Sequence, residues 1–223
     1  MDSKVALREI PCLRGALLHL AQGETAVLFH DHVGEELRYR YPMIQYRENR
    51  GKGVVFAVEE GIEAMKSLFL LPDPPMVNIG RRREPLLFTD MEAYETDFAI
   101  VDTPLTYNIR RYLPLNQSNY GEYQSLEGLA ERCQMLERCL VGNILSFAKS
   151  LDVFFDEQVD VKLLDIIERK TYRYKGITMQ GFDLRFKANV ALPWFMALGK
   201  GVSIGFGEVR PNNITDTIVS AQN

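Results

Sequence analysis

Three histidines, His19, His30 and His32, supply the imidazoles of this chain, and imidazole is the side chain that takes and returns a proton near neutral pH. His30 and His32 are separated by one residue, so an extended segment would turn both rings to one side and let them share proton transfer. The string His30-Asp31-His32 also offers two imidazoles and a carboxylate to a metal ion, but no HExxH or similar spacing supplies a third ligand. His19 falls near Leu13, Leu17 and Leu20 at helical spacing and reads as a partly buried, hydrogen-bonded helix histidine.

A second concentration of chemistry lies in Ala197-Leu198-Gly199-Lys200-Gly201-Val202-Ser203-Ile204-Gly205-Phe206-Gly207, with four glycines between an apolar turn and a strand. Glycine permits positive φ and close backbone approach, which suits a loop lying against phosphates with amides outward and Lys200 adding charge. Gly199, Gly201 and Ser203 are the other candidate contacts. A dinucleotide fingerprint or a P-loop would need a helix after its glycines, and here a strand follows.

Basic residues supply a third set. Arg169, Arg173 and Lys175 alternate with Lys170, Tyr172 and Tyr174, and Arg185 and Lys187 extend from the next strand, so the hairpin is expected to present a basic, aromatic-flecked surface suited to RNA. Arg81-Arg82-Arg83 offers a second patch. A solvated sheet face is the plainer alternative for such alternation.

These groups need elements to position them. Lys4 to Ile10 reads as a strand, Pro11 to Leu20 as a helix ended by Gly23, and Leu37 to Arg47 with Val54 to Val58 as a hairpin around Gly51-Lys52-Gly53. A helix from Glu59 to Leu70 stops at Pro72, Pro74 and Pro75, and Met76 to Ile79 returns as a strand before the arginine turn. Strand, helix, strand, strand, helix, strand is the split βαβ, ferredoxin-like order. The order then repeats: an extended stretch from Phe88 to Tyr112 broken at Pro104, a polar loop from Asn116 to Tyr123, and a long helix capped by Ser125. Leu129, Cys133, Leu136, Leu140, Ile144 and Leu151 would form that helix's apolar stripe, which puts Cys133 in the core. Strands at Asp160 to Tyr174 and Ile177 to Val190, a short turn or helix at Pro193 to Leu198, the glycine loop and a last strand about Ile204 to Arg210 complete the second unit.

The expected fold class is therefore α+β, two tandem ferredoxin-like (βαββαβ, RRM-like) domains over 1–84 and 85–211, the second carrying the glycine-rich loop, with 212–223 a polar tail. Composition is that of a globular protein, 46% hydrophobic and 25% charged. A net charge of −4 argues against indiscriminate coating of nucleic acid while allowing a local basic face. No apolar span or leader is visible, which predicts a cytoplasmic protein with no membrane partner. Cys12, Cys133 and Cys139 lack CxxC spacing and read as small buried hydrophobes.

The glycine-rich string, and its Ser203-Ile204-Gly205-Phe206-Gly207 portion most closely, resembles the loop of the CRISPR-associated endoribonucleases of the RAMP superfamily that cut precursor CRISPR RNA within its repeats. The segment around His30, with Gly34 and Tyr39 following, resembles that family too. Ala197 stands where the family loop often opens with a further glycine. The resemblance implies two ferredoxin-like domains and cleavage without metal or other cofactor: the ribose 2′-hydroxyl attacks the scissile phosphate, leaving 2′,3′-cyclic phosphate and 5′-hydroxyl ends. It implies His30 as general acid/base, with His32 second, and Arg14, Arg38 or Lys200 as the charge on the phosphorane. CRISPR repeat RNA is the implied partner, held through Lys200, Gly199, Gly201, Ser203, Arg169, Arg173, Lys175, Arg185 and Lys187. Effector-complex subunits and a second copy of the chain are further candidate partners. Two departures from the family, no tyrosine on the first helix and Glu35-Glu36 where some members carry a lysine, favour an alternative: a repeat-RNA-binding or structural RAMP subunit without cleavage.

Overall fold

Pro11 stands in the first turn of α1 (Ile10–Leu20), where its missing N–H leaves no helical bond unmade. The helix buries Ile10, Leu13, Ala16 and Leu17, one apolar stripe at intervals of three and four. The computed structural model describes residues 4–21, 26–29, 32–33, 36–37, 41–69, 71 and 73–212. Two units divide the chain, one running to Glu95 and taking in Val202–Gly205, the other comprising Thr96–Gly201 and the chain from Phe206.

In the first unit α1 is followed by α2 (Ala26–Phe29) and a short ladder of β1 (His32–Val33) with β2 (Glu36–Leu37). The hairpin β3 (Ile44–Asn49) and β4 (Lys52–Ala57) turns at Arg50 and Gly51, whose φ values of 51° and 78° give the left-handed pair that matches strand twist. After α3 (Glu60–Phe69) comes a second hairpin, β5 (Met76–Ile79) and β6 (Arg82–Pro85). The core gathers Ile10, Leu13 and Leu17 of α1 with Ile44, Tyr46, Ala64, Met65, Leu68, Val77 and Ile79.

Several expectations change here. Lys4 makes only an isolated bridge to Lys52, and Leu7–Glu9 is a 3-10 turn where a strand was expected. Arg82 and Arg83 pair with Ile79 and Asn78, so they lie on a strand and only Arg81 is left to the turn with Gly80. Among the described residues this unit's strands form two-stranded ladders, not one four-stranded sheet. α1 ends at Leu20, and Gly23 lies outside the described residues, as do Leu70 and 213–223 of the expected tail.

The second unit contains β7 (Ile100–Tyr112), α4 (Gln117–Ser125), α5 (Leu129–Ser150), β8 (Val161–Tyr174), β9 (Ile177–Val190) and β10 (Glu208–Pro211). Among its described residues four strands make one sheet in the order β10-β7-β9-β8, every neighbouring pair antiparallel. Pro104 does not break β7; the strand absorbs it in a register irregularity between Ile100 and Leu105. The stretch expected as a polar loop is α4, because Asn116 caps it by accepting from the amides of Ser118 and Asn119, each at 2.9 Å. Ser125 ends that helix, and α5 starts after Gly128.

The buried face of α5 is Met135, Leu136, Leu140, Ile144, Phe147 and Ala148. Leu129 is exposed and Cys133 half-buried, so the expected stripe is rotated toward Phe147; Cys139 is half-buried and Cys12 exposed, against the expectation of buried cysteines. On the sheet Phe182, Leu184, Phe186, Ala188 and Val190 are buried at every second position of β9. Tyr123 of α4 meets Phe182 edge-on at 5.7 Å, and Glu137 of α5 accepts the Leu163 amide of β8 at 2.8 Å. No helix among the described residues is long and apolar enough to cross a membrane.

Candidate functional site

The glycine-rich segment is built by close packing. Gly207 has φ 72°, and a Cβ there would stand 1.8 Å from the Leu198 carbonyl oxygen. Gly199 has φ 88°, and a Cβ would stand 2.7 Å from the Tyr112 ring. Neither position admits a side chain. The backbone is tied inward: the Lys200 amide donates to Leu113 O at 3.1 Å, the Phe206 amide to Gly201 O at 3.2 Å, and the Gly207 amide to Arg110 O at 3.1 Å. The expected outward amides are therefore not found at Lys200, Phe206 or Gly207, while the Lys200 side chain is exposed.

Phe206 stacks edge-on against Tyr172 at 5.4 Å and Tyr174 at 6.2 Å. Burial pushes the Tyr172 hydroxyl above its ordinary pKa. These tyrosines brace the loop against β8, a role that alternation in the sequence does not reveal.

Ser203 lies in the 3-10 turn Val202–Ile204, which belongs to the first unit, and is 9% exposed. Its hydroxyl accepts from Arg14 Nη1 at 3.3 Å, and Arg14 Nε donates to the Phe29 carbonyl at 3.4 Å. Arg14 thus joins the turn to the residue that precedes His30 in the chain. His30, Asp31, Gly34, Glu35, Arg38 and Tyr39 lie outside the described residues. His32 opens β1 with its backbone opposite Leu37. His19 is exposed on α1, contrary to the expectation that it is partly buried. Among the described residues no group of three His, Cys, Asp or Glu side chains is placed to hold a metal ion.

The β8–β9 register separates the basic residues that the sequence groups together. Arg169 is opposite Phe182 and Arg173 opposite Thr178, whereas Arg185 is opposite Asp165 and Lys187 opposite Lys162. Since faces alternate along β9, Arg169 and Arg173 lie on the face of buried Phe182, and Arg185 and Lys187 on the other. Lys175, in the turn, has φ 48° and its ammonium 5.8 Å from the Tyr174 ring centroid.

The face bearing Arg185 and Lys187 continues onto β7 and β10. Asn108 is opposite both Arg185 and Arg210, and Thr106 is opposite Lys187. Arg185 pairs with Asp165 at 3.4 Å, and Arg210 with buried Glu208 at 2.9 Å, so this face is mixed in charge. Sequence spacing does not single out Asn108, Lys162 or Arg210, because only strand order brings them beside Arg185 and Lys187.

Comparison with known proteins follows the same two-part division. A crystal structure of Cas6b superposes with a TM-score of 0.84 at 25% identity, covering 94% of each chain. A second, of the CRISPR RNA processing endoribonuclease Cas6b, gives 0.68 at 24% identity over 94% of each chain. Csf5, a type IV Cas6 crRNA endonuclease, shares the fold with a TM-score of 0.61 at 15% identity over 95% of each chain. An uncharacterized protein of Methanocaldococcus jannaschii is 36% identical over 114 residues, 51% of this chain and 76% of that protein. The Cas6b N-terminal domain model matches residues 1–97 and the Cas6b C-terminal domain model residues 99–212. With both domains matched in order along nearly its whole length, the chain belongs to the Cas6b family.

Proposed function

We propose that this protein is an endoribonuclease that cuts precursor CRISPR RNA within its repeats without a metal ion, the upstream 2′-hydroxyl attacking the scissile phosphate to leave 2′,3′-cyclic phosphate and 5′-hydroxyl ends. The single observation that carries the reading is the match to both Cas6b domains, one structural neighbour being a CRISPR RNA processing endoribonuclease. His30 is the general acid/base and His32 its close partner or substitute. Arg14, Arg38 or Lys200 supplies positive charge to the phosphorane, and the glycine-rich loop with the β8–β9 hairpin holds repeat RNA. The antiparallel order β10-β7-β9-β8 around α5 supports a ferredoxin-like second domain, the first being its tandem counterpart.

In-line attack needs the 2′-oxygen deprotonated as it bonds to phosphorus, and the 5′-oxygen protonated as it leaves. Two imidazoles two positions apart suit both transfers. The direct test is single-turnover cleavage of labelled repeat RNA in EDTA. Cleavage is expected for the ribose substrate and not for a copy with 2′-deoxyribose upstream of the cut.

One observation favours a second reading, a repeat-RNA-binding or structural RAMP subunit: α1, Ile10-Pro11-Cys12-Leu13-Arg14-Gly15-Ala16-Leu17-Leu18-His19-Leu20, has no tyrosine to assist the histidine. Tight binding with no cleavage would select it.

A further inference from the structure

The first unit has a cavity of about 580 Å³ beside the N-terminus of α1, lined by Lys4, Glu9, Glu48, Arg50, Lys52 and Arg82. Its four cations outnumber its two carboxylates. Lys4 and Lys52 are opposite one another across an antiparallel bridge, fixed by the Val5 amide donating to Gly51 O at 2.7 Å. Directly opposed like charges on neighbouring strands destabilise the pairing, so the arrangement favours an anion between them.

Arg50 adds a third charge from the tip of the β3–β4 hairpin, held at φ 51°, a conformation that costs a side-chain-bearing residue energy. Arg82 enters from β6 by donating to the Lys4 carbonyl at 2.6 Å. Both carboxylates already have partners: Glu9 accepts from the Ala6 amide at 2.9 Å and pairs with Arg82 at 3.2 Å, and Glu48 accepts from the Gly51 amide at 2.6 Å.

Lys4, Arg50 and Lys52 are exposed and spread over a bridge and a turn, which suits successive phosphates of a polyanion better than one enclosed ion. We infer that this groove is a phosphodiester-binding surface for single-stranded RNA flanking the cleaved repeat, a site that deepens the endoribonuclease reading and rests on it. Its cations act by neutralising phosphates and take no part in the bond cleavage.

The experiment measures binding of labelled repeat RNA, with and without a single-stranded flank, across a salt series. Wild type is compared with Lys4→Gln, Arg50→Gln, Lys52→Gln and the triple variant, all checked for an unchanged unfolding midpoint. For flanked RNA the triple variant is expected to bind about tenfold or more weakly, its salt slope shallower by about 2, with each single change giving part of the effect. Cleavage at saturating RNA is expected to stay at the wild-type rate. Unchanged affinity and slope in the triple variant, beside a wild type that binds and cuts repeat RNA, would overturn the groove alone, as would an equal loss on repeat RNA lacking the flank. A wild type that binds no repeat RNA would overturn both this inference and the activity beneath it.

Discussion

Arg14 Nη1 donates to Ser203 Oγ across 3.3 Å, joining side chains 189 positions apart, while its Nε reaches the carbonyl of Phe29. A planar guanidinium can hold two groups at once, which an ammonium cannot do with the same geometry. Arg14→Ala is therefore expected to slow single-turnover cleavage roughly 10- to 100-fold, since small misplacement of a reacting group is costly, with little change in RNA affinity. Arg14→Lys should recover only part of the rate. A parallel loss of affinity would assign Arg14 to binding instead.

Gly207→Ala is expected to destabilise the second unit by more than about 3 kcal/mol, because a positive φ of 72° coincides with a backbone oxygen 1.8 Å from the new methyl. Gly176→Ala is the contrast: its φ is 81° but nothing lies within 4 Å, so only the left-handed cost of about 1–2 kcal/mol applies. Denaturation followed at Trp194, the sole tryptophan, would separate the two.

Tyr107 predicts an alkaline limit. Its hydroxyl donates to Val190 O at 3.0 Å and accepts from the Leu192 amide at 3.0 Å, and burial pushes its pKa from 10 up to about 12. A raised folded pKa gives stability that is complete below pH 10 and lost as pH rises toward 12, by up to roughly 2–3 kcal/mol. The stability gap between wild type and Tyr107→Phe should narrow over that interval. A gap that does not change with pH would contradict the assignment.

The register of β8 and β9 puts Arg185 and Lys187 on one face and Arg169 and Arg173 on the other, so RNA lying on one face can use only one pair. Arg185→Ala with Lys187→Ala is expected to weaken repeat binding and reduce its salt slope by about 1–2, with the Arg169 and Arg173 pair changing little. The reverse ranking would place the RNA on the side of Phe182.

Long elements were legible in the sequence because their signals are strong and local. Strict alternation marked β9 and a lysine-glycine turn marked its junction with β8, so both strands end within a residue of their expected limits. The failures involve competing local chemistry. Asn116 has the polarity of a loop residue but serves as a cap, and Leu129 fits a heptad-like stripe whose true centre is fixed by tertiary packing at Leu136, Leu140 and Ile144. The glycine loop was found by its composition, but the inward direction of the Lys200 and Gly207 amides depends on β7 backbone carbonyls and the segment after it, far away in sequence. The Arg14–Ser203 link was illegible for the same reason: no local spacing joins a helix near one end of the sequence to a turn near the other.

Single-turnover cleavage of repeat RNA in EDTA by wild type, His30→Ala and His32→Ala, beside a substrate with 2′-deoxyribose upstream of the cut, decides whether the protein cuts by 2′-hydroxyl attack assisted by histidine. Wild-type cleavage is expected to require the 2′-hydroxyl, to yield a 2′,3′-cyclic phosphate, and to fall by about 100-fold or more in His30→Ala. Cleavage of the deoxy substrate, or full activity in both histidine variants, would contradict it.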